Sequence, residues 1–178
     1  MTNAELAIMS LVVEAPRYGY EIEQVIETRG MREWTEVGFS SIYYLLKKLE
    51  SKGWVEAELT QAERGQPRKV YRATGSGRAA HRAALLQTLS EPARCYPPLQ
   101  LGLAGLPEFP PHEAAAALRQ YRDELDARLA HTITRRDAQR PLSDHIEAMF
   151  SFSQAMAEAE RDWIDGFICQ LESMEEKS

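Results

Sequence analysis

The sequence predicts a mainly α-helical chain that carries one small β-hairpin. Apolar residues recur at helical spacing over most of the 178 residues, and they alternate with polar residues only between residues 54 and 73. Six of the nine prolines fall within residues 92–111, which is typical of an irregular connector. These observations divide the chain into an N-terminal region of residues 1–90, a connector of residues 91–111 and a C-terminal helical region of residues 112–178.

Two short amphipathic helices are predicted at the start of the chain. The first spans residues 4–15, with Asn3 as its N-cap and Pro16 as its stop. The second follows a turn that contains Gly19 and ends near Gly30. Each helix has one apolar face, so each is expected to contribute to a common core.

A third helix, predicted over residues 41–52, has two contrasting faces. Its narrow apolar stripe consists of Ile42, Leu45, Leu46 and Leu49. Its opposite face carries Ser40, Tyr44, Lys47, Lys48 and Ser51. Lysines on such a face reach phosphates or guanine edges in the major groove of DNA, and hydroxyl groups reach bases or phosphates. The alternative interpretation is an ordinary solvated helix face.

A β-hairpin is predicted next, with strands over Trp54–Leu59 and Lys69–Ala73 and a polar turn between them. The polar and basic residues around its tip are Arg64, Gln66, Arg68 and Lys69. A basic tip of this kind reaches the DNA backbone or the minor groove, and the alternative is a solubilising loop. Three helices followed by a hairpin is the element order of a winged helix-turn-helix domain. The basic helix and the basic hairpin together favour DNA binding.

The positive charge of the chain is local, although the formal net charge is −6. Residues 1–82 hold 12 basic and 11 acidic residues, whereas residues 83–178 hold 9 and 16. Residues 47–72 hold 7 basic and 4 acidic residues. We therefore expect one basic patch toward a polyanion and an acidic half that faces away from it.

Two long helices are predicted in the C-terminal region, over residues 112–138 and 143–174, with Pro141 between them. A shorter helix over residues 78–89 precedes the connector, after a break at residues 74–77. At 1.5 Å per residue the long helices extend roughly 40–48 Å each. A small winged domain cannot cover both of their apolar faces, so a second copy of the chain is expected to do so.

The apolar faces of these helices supply the predicted dimer contacts. They are Leu118, Tyr121, Leu125, Ile146, Phe150, Trp163, Ile164, Phe167 and Leu171. A pocket for an aromatic effector is predicted from Trp34, Tyr121, Trp163 and Phe167. The alternative for these aromatic residues is packing within the dimer core.

Catalytic and metal-binding patterns are absent from the sequence. The four histidines are scattered, no glycine-rich phosphate loop occurs, and no nucleophile with its base can be nominated from spacing. Cys95 and Cys169 stand in no metal or redox spacing and are expected to be free thiols. No run of eighteen apolar residues and no secretory signal is recognisable. We expect a cytoplasmic protein without enzymatic activity, cofactor or metal.

Three runs of sequence resemble the PadR family of transcriptional regulators. They are YGYEI at residues 18–22, SIYYLLKKLESKG at residues 41–53 and RKVYRATGSGR at residues 68–78. The resemblance is dense over residues 4–82 and looser over residues 83–178. It implies a dimeric repressor whose C-terminal helices exchange between subunits and which responds to small aromatic or drug-like molecules.

The resemblance also implies roles for individual residues. Tyr18 and Tyr20 correspond to tyrosines of the family's second helix, the first near a phosphate, and Tyr43 corresponds to a tyrosine of its recognition helix. Arg68, Lys69 and Tyr71 correspond to the second wing strand. The complete predicted DNA-binding set is Tyr18, Tyr20, Ser40, Ser41, Tyr43, Tyr44, Lys47, Lys48, Arg64, Gln66, Arg68, Lys69 and Tyr71.

Two positions depart from the family pattern, which often has Gly at the position of Ser40 and Pro at the position of Tyr44. Loss of the proline removes a preset φ angle at the helix start, and Tyr44 adds a large group toward DNA. An operator preference of the family is therefore not transferable to this chain. The alternative for Tyr43 is packing on the flank of the core.

The predicted function is that of a homodimeric repressor on a pseudo-palindromic operator, released by a small aromatic ligand. Its two recognition helices are expected in successive major grooves, roughly 34 Å apart. Two alternatives remain. One is a winged domain used for protein–protein contact, and the other is a helical protein that binds small molecules and has no DNA partner.

Overall fold

The computed structural model describes residues 1–35, 37–38, 41–60 and 68–175, which fall into two units, Met1–Arg94 and Cys95–Ser178. The N-terminal unit contains α1 (Asn3–Glu14), β1 (Arg17–Tyr18), α2 (Gly19–Thr28), α3 (Ser41–Ser51), β2 (Val55–Thr60), β3 (Arg68–Ala73) and α4 (Gly75–Ser90). The C-terminal unit contains α5 (Pro98–Ala104), α6 (Pro111–Ala138) and α7 (Asp144–Glu175). Short 3-10 turns, Met31–Glu33 and Leu106–Glu108, follow α2 and α5.

The core of the N-terminal unit lies between α1, α2 and α3. Its fully buried side chains include Ile8, Met9, Val12, Ile22, Ile26, Ile42, Leu46 and Leu49. Burying one such side chain stabilises the fold by about 1.5–3 kcal/mol. The four residues of the predicted α3 stripe are all buried, which confirms that prediction and fixes which face of α3 points to solvent.

The start of α1 differs from the prediction by one residue. Thr2, not Asn3, is the N-cap, because its hydroxyl accepts a hydrogen bond from the Glu5 N–H at 3.2 Å. The Glu5 carboxylate in turn accepts one from the Thr2 N–H at 3.0 Å. This reciprocal capping box satisfies two backbone donors that the first turn of a helix leaves unpaired.

The described strands form an antiparallel sheet in the order β1-β3-β2. Strands β2 and β3 are the predicted hairpin, and Val55 faces Ala73 at its base while Thr60 faces Arg68 toward its tip. The two-residue strand β1 was not predicted. It places Arg17 opposite Tyr71 and Tyr18 opposite Val70, so the start of α2 lies beside the wing.

Helix α4 begins at Gly75, so the predicted break at residues 74–77 is wrong. Thr74 caps the helix by accepting a hydrogen bond from the Gly77 N–H at 3.0 Å, and its hydroxyl donates to the Gly53 carbonyl at 2.7 Å. A glycine-rich start therefore forms a helix here because a cap and a neighbouring loop supply its polar partners.

The C-terminal unit is built on an antiparallel pair formed by α6 and α7. Its buried core consists of Ala115, Leu118, Leu125, Ile164, Ile168 and Leu171. Ion pairs flank this core, and they join Arg119 to Glu172, Arg122 to Asp165 and Arg161 to Asp126. No helix among the described residues is long and apolar enough to cross a bilayer.

Four of the predicted dimer-contact residues lie in the core of the C-terminal unit. Leu118, Leu125, Ile164 and Leu171 are buried within a single chain, because α6 and α7 cover each other's stripes. These four side chains are therefore already covered without a second copy. Trp163 is exposed, whereas Tyr121, Ile146, Phe150 and Phe167 are half-buried.

Candidate nucleic-acid interface

The start of α2, the outer face of α3 and the strand β3 surround one concave pocket of about 570 Å³. Its lining residues are Tyr18, Gly19, Tyr20, Tyr43, Arg68, Lys69 and Tyr71. Six of these seven belong to the predicted DNA-binding set. The fold thus brings together residues that are about fifty positions apart in sequence.

The tyrosines of this region fall into two groups. Tyr20, Tyr43 and Tyr44 are 59%, 58% and 66% exposed, so their rings are available to a partner. Tyr71 is buried, and that burial raises the pKa of its hydroxyl. Tyr71 therefore packs in the core of the unit at the floor of the pocket, while Tyr20 and Tyr43 form part of its rim.

Gly19 sets the position of Tyr43. A Cβ atom at residue 19 would lie 2.5 Å from Cε1 of the Tyr43 ring, which is closer than any real contact of this kind. The missing side chain therefore lets the ring lie against the start of α2 while most of the ring stays exposed. The alternative, in which Tyr43 packs on the flank of the core, applies only to the edge of the ring that lies against Gly19.

The cations of the pocket differ in their partners. The Arg68 guanidinium lies 5.8 Å from the centre of the Tyr18 ring, at cation–π distance. Lys69 Nζ lies 3.5 Å from the Glu50 carboxylate of α3, which links the wing to that helix. Both cations stay exposed to solvent.

The two lysines of α3 point in different directions. Lys47 is exposed and forms no ion pair among the described residues. The Lys48 ammonium group donates a hydrogen bond to the buried Glu5 carboxylate, with 2.9 Å between Nζ and Oε1. This hydrogen bond raises the pKa of Lys48. Lys48 therefore lies toward α1 instead of projecting straight outward as the helical wheel predicts.

Glu5 is a residue that the sequence reasoning did not single out. Only 1% of it is exposed, and burial alone would raise its pKa, but hydrogen bonds from Lys52, Lys48 and the Thr2 N–H lower the pKa to about 2. The Thr2-x-x-Glu5 spacing is a capping-box signal that was available in the sequence. The two lysine partners were not, because they lie more than forty residues away.

Of the four remaining residues in the predicted DNA-binding set, the structure describes one, Ser41. Ser41 is half-buried at the first residue of α3, and its hydroxyl donates to the Gly38 carbonyl at 2.6 Å. Ser40, Arg64 and Gln66 lie outside the described residues.

The four predicted effector residues are divided between the two units, with Tyr121, Trp163 and Phe167 in the C-terminal unit. Trp163 and Phe167 stack on each other along α7, with 5.2 Å between ring centres, and the Tyr121 hydroxyl donates to Glu160 at 2.7 Å. Trp34 belongs to the other unit and is exposed. Among the described residues, no group of acidic, histidine and cysteine side chains has the arrangement of a metal site.

Comparison with known proteins identifies the N-terminal unit. Residues 8–83 match the model of the transcriptional regulator PadR-like family. The chain carries a PadR-like domain. An uncharacterized protein of Lysinibacillus sphaericus is 36% identical to it over 72 residues, which are 40% of this chain and 65% of that protein.

Solved structures extend the likeness beyond the PadR-like domain. Bacillus subtilis PadR in complex with operator DNA has a TM-score of 0.77 and 18% identity, covering 94% of this chain and 98% of that one. The structure of the same protein in complex with p-coumaric acid has a TM-score of 0.79 and 17% identity, and the match covers 96% of this chain and 99% of that one. The Vibrio cholerae virulence activator AphA has a TM-score of 0.75 and 17% identity, and the match again covers 96% of this chain and 99% of that one. The fold is therefore a winged helix-turn-helix followed by C-terminal helices, as predicted.

Proposed function

We propose that this chain is a transcriptional regulator that binds duplex DNA through α3 and the wing formed by β2 and β3. One observation carries the proposal: exposed aromatic and basic side chains from α2, α3 and β3 surround one pocket, while the opposite face of α3 is buried. A fixed helix with a polar outer face suits the major groove. The PadR-like family match of the same unit supports this role.

Each part of the surface has a distinct task in this proposal. Lys47 and Arg68 meet phosphates, and each such contact releases a counterion, so binding weakens as salt rises. Tyr20 and Tyr43 offer hydroxyl groups to phosphates at the pocket rim, and Tyr44 points toward the bases. Ser40, Arg64 and Gln66 remain candidates on the strength of the sequence.

We further propose that the chain acts as a homodimer through an exposed apolar stripe on α7. Met149, Phe152, Met156 and Trp163 are exposed and recur at intervals of three, four and seven residues. Ala159, between Met156 and Trp163, and Gly166, one turn beyond Trp163, lie on the same stripe and are small enough for a second helix to approach closely. A stripe of this kind is typical of a helix that packs against another copy.

A dimer of this kind would place two α3 helices on a pseudo-palindromic operator. Bacillus subtilis PadR has been solved with operator DNA and with p-coumaric acid, and we extend both properties to this chain as proposals. A small aromatic ligand would release DNA if it favoured a different separation of the two α3 helices. The family resemblance favours repression, and a regulator of chromosomal genes would work in the cytoplasm.

The decisive experiment is selection of bound fragments from the source genome, followed by a titration of the recovered operator at several salt concentrations. We expect an inverted repeat with half-sites about one helical turn apart, and an affinity that falls steeply with salt. Absence of duplex binding at low ionic strength would contradict the proposal and would favour a protein–protein module.

A reporter gene behind the recovered operator tests the sign of regulation. Expression that rises when the regulator is deleted supports repression, and expression that falls contradicts it. The effector proposal is tested with a panel of aromatic acids in the same titration. Equal operator affinity with and without every ligand would reject release by an aromatic compound.

A further inference from the structure

One buried carboxylate joins α1 to α3. Glu5 Oε2 accepts the Thr2 N–H at the start of α1, while Glu5 Oε1 accepts both Lys48 and Lys52, at 2.9 Å and 2.7 Å. Both oxygens of the side chain are therefore used. The capping box holds the carboxylate in place on α1, and the carboxylate holds two ammonium groups at the C-terminal end of α3.

Both lysines are held firmly by their surroundings. Their side chains are only about one-third exposed, at 38% for Lys48 and 33% for Lys52. Lys52 has a second partner, because its Nζ also lies 4.5 Å from the centre of the Trp54 ring. Moving either ammonium group to a DNA phosphate would weaken the neutralisation of a buried carboxylate, which is unfavourable in a medium of low dielectric constant.

We propose that Glu5 is a positioning residue that keeps Lys48 and Lys52 away from DNA, so that Lys47 is the cation that α3 presents to a phosphate. This inference rests on the proposed DNA-binding function. It revises the sequence-based role of Lys48, which was predicted to face the groove together with Lys47. The helical wheel places both lysines on the outer half of α3, about 100° apart, but the Glu5 carboxylate holds Lys48 toward α1.

The consequence is a limit on non-specific affinity. Each phosphate contact by a cation contributes about 0.9 to the slope of the logarithm of the binding constant against the logarithm of salt concentration. If Glu5 withholds two cations, the domain binds any duplex more weakly than its basic residues suggest. A regulator gains selectivity in this way, because the contacts that remain include those that read bases.

The first experiment compares Lys47→Ala with Lys48→Ala in the full-length protein. The probe is a 30-base-pair duplex of mixed sequence, titrated at five salt concentrations. We expect Lys47→Ala to reduce the salt slope by about 0.9 and Lys48→Ala to leave it unchanged. A reduction for Lys48→Ala, or an unchanged slope for Lys47→Ala, would overturn the inference. The two variants are matched, because each removes one lysine from adjacent positions of one helix.

The second experiment uses Glu5→Gln, which keeps an oxygen for the Thr2 N–H and removes the charge. If the variant folds, as judged by circular dichroism, we expect tighter binding to the same duplex and a slope larger by about 0.9 to 1.8. A residue with only a structural role would not increase the slope. An unchanged or smaller slope in the folded variant would contradict the inference. If the variant does not fold, the comparison of Lys47→Ala with Lys48→Ala tests the inference by itself.

A measurement without DNA separates this inference from the proposed function. Acetylation of the free protein, followed by mass spectrometry, reports the reactivity of each lysine. We expect Lys47 to react faster than Lys48 and Lys52, because Lys47 is exposed whereas the other two ammonium groups are held against the buried Glu5 carboxylate. Equal rates in the wild-type protein would overturn the inference, whereas a wild-type protein that ignores duplex DNA would overturn only the proposed function.

Discussion

Glu5 makes the stability of the N-terminal unit depend on pH. Its pKa is about 2 in the folded chain against 4.5 as the ordinary value, so the carboxylate stabilises the fold fully above pH 4.5. This stabilisation, about 3 kcal/mol, is lost as the pH falls from 4.5 toward 2. We predict that the difference in the free energy of unfolding between wild type and Glu5→Gln shrinks over this window.

Urea denaturation at pH 6, 4, 3 and 2 measures that difference. Comparing the two proteins at each pH cancels the contributions of the other carboxylates, including Glu14, whose pKa is also lowered by its hydrogen bond to Arg29. A difference that stays constant down to pH 2 would show that the ionised state of Glu5 does not stabilise the fold.

Gly19 illustrates a residue whose effect is expected on binding and not on stability. In Gly19→Ala the new methyl group displaces the Tyr43 ring, and the ring can move because more than half of it is exposed. We predict a change of less than about 0.5 kcal/mol in stability but a loss of DNA affinity on the order of 1 kcal/mol. Calorimetry and duplex titration measure the two quantities, and unchanged affinity would contradict a role for Tyr43.

Residues in the pocket were predictable where a local pattern or a family motif marked them. Tyr18, Tyr43 and Arg68 were named from the sequence, and the structure places them around one pocket. The separation of Lys47 from Lys48 was not predictable, because it depends on a carboxylate from another helix. A helical wheel describes where a side chain leaves its helix, and it contains no information about the partner that it meets.

At the scale of elements, Gly77 determines how α4 packs against the start of the wing. A Cβ atom at this position would overlap the carbonyl oxygen of Trp54 and would lie 2.8 Å from the Met9 methyl group. A backbone oxygen cannot turn aside as a flexible side chain can. We predict that Gly77→Ala lowers the free energy of unfolding by about 1–3 kcal/mol, although alanine is the better helix former.

Gly75→Ala is the matched control for this prediction. It lies in the same first turn of α4, and a Cβ atom there meets nothing within 4 Å. Its stability should stay within about 0.5 kcal/mol of the wild-type value. Urea denaturation of both variants is sufficient, and equal stabilities would show that α4 can shift away from the wing without cost.

The elements themselves follow from sequence where their periodic pattern is long. The apolar stripe of α3 and the alternating pattern of β2 and β3 predicted those elements correctly. The long apolar patterns of residues 112–138 and 143–174 likewise predicted α6 and α7. Strand β1 has only two residues, which is too short for any periodicity. The start of α4 was missed because its glycines indicate a loop, whereas Thr74 and the Gly53 carbonyl stabilise a helix at that position.

At the scale of the whole molecule, the apolar stripe on α7 predicts how the protein assembles. Phe152 is 69% exposed and Met156 is 59% exposed. We predict that Phe152→Glu or Met156→Glu converts the proposed dimer to a monomer with unchanged helix content, because a charge in the proposed interface must be desolvated without a partner. Sedimentation velocity and circular dichroism measure these two properties.

Ser151→Glu is a suitable control, because Ser151 is exposed in the same turn but lies 100° around the helix from Phe152. It should remain dimeric. If the Phe152 and Met156 variants also remain dimeric, the stripe is not the interface. The sequence alone predicted that the long helices need a partner but selected several residues that α6 and α7 already bury, since periodicity marks apolar faces without saying which neighbour covers them.

Strand β1 also determines which part of the wing can adapt to its target. Because β3 is paired on both edges at Val70 and Tyr71, the middle of β3 cannot move without breaking its pairing with β1, which leads into α2. Freedom to adjust begins at Lys69 and Arg68, where β3 has a neighbour on one edge only. If the wing meets DNA as proposed, we expect Arg68 and Lys69 to adjust to variation in groove width, while the distance between the start of α2 and the middle of β3 stays constant from one site to the next.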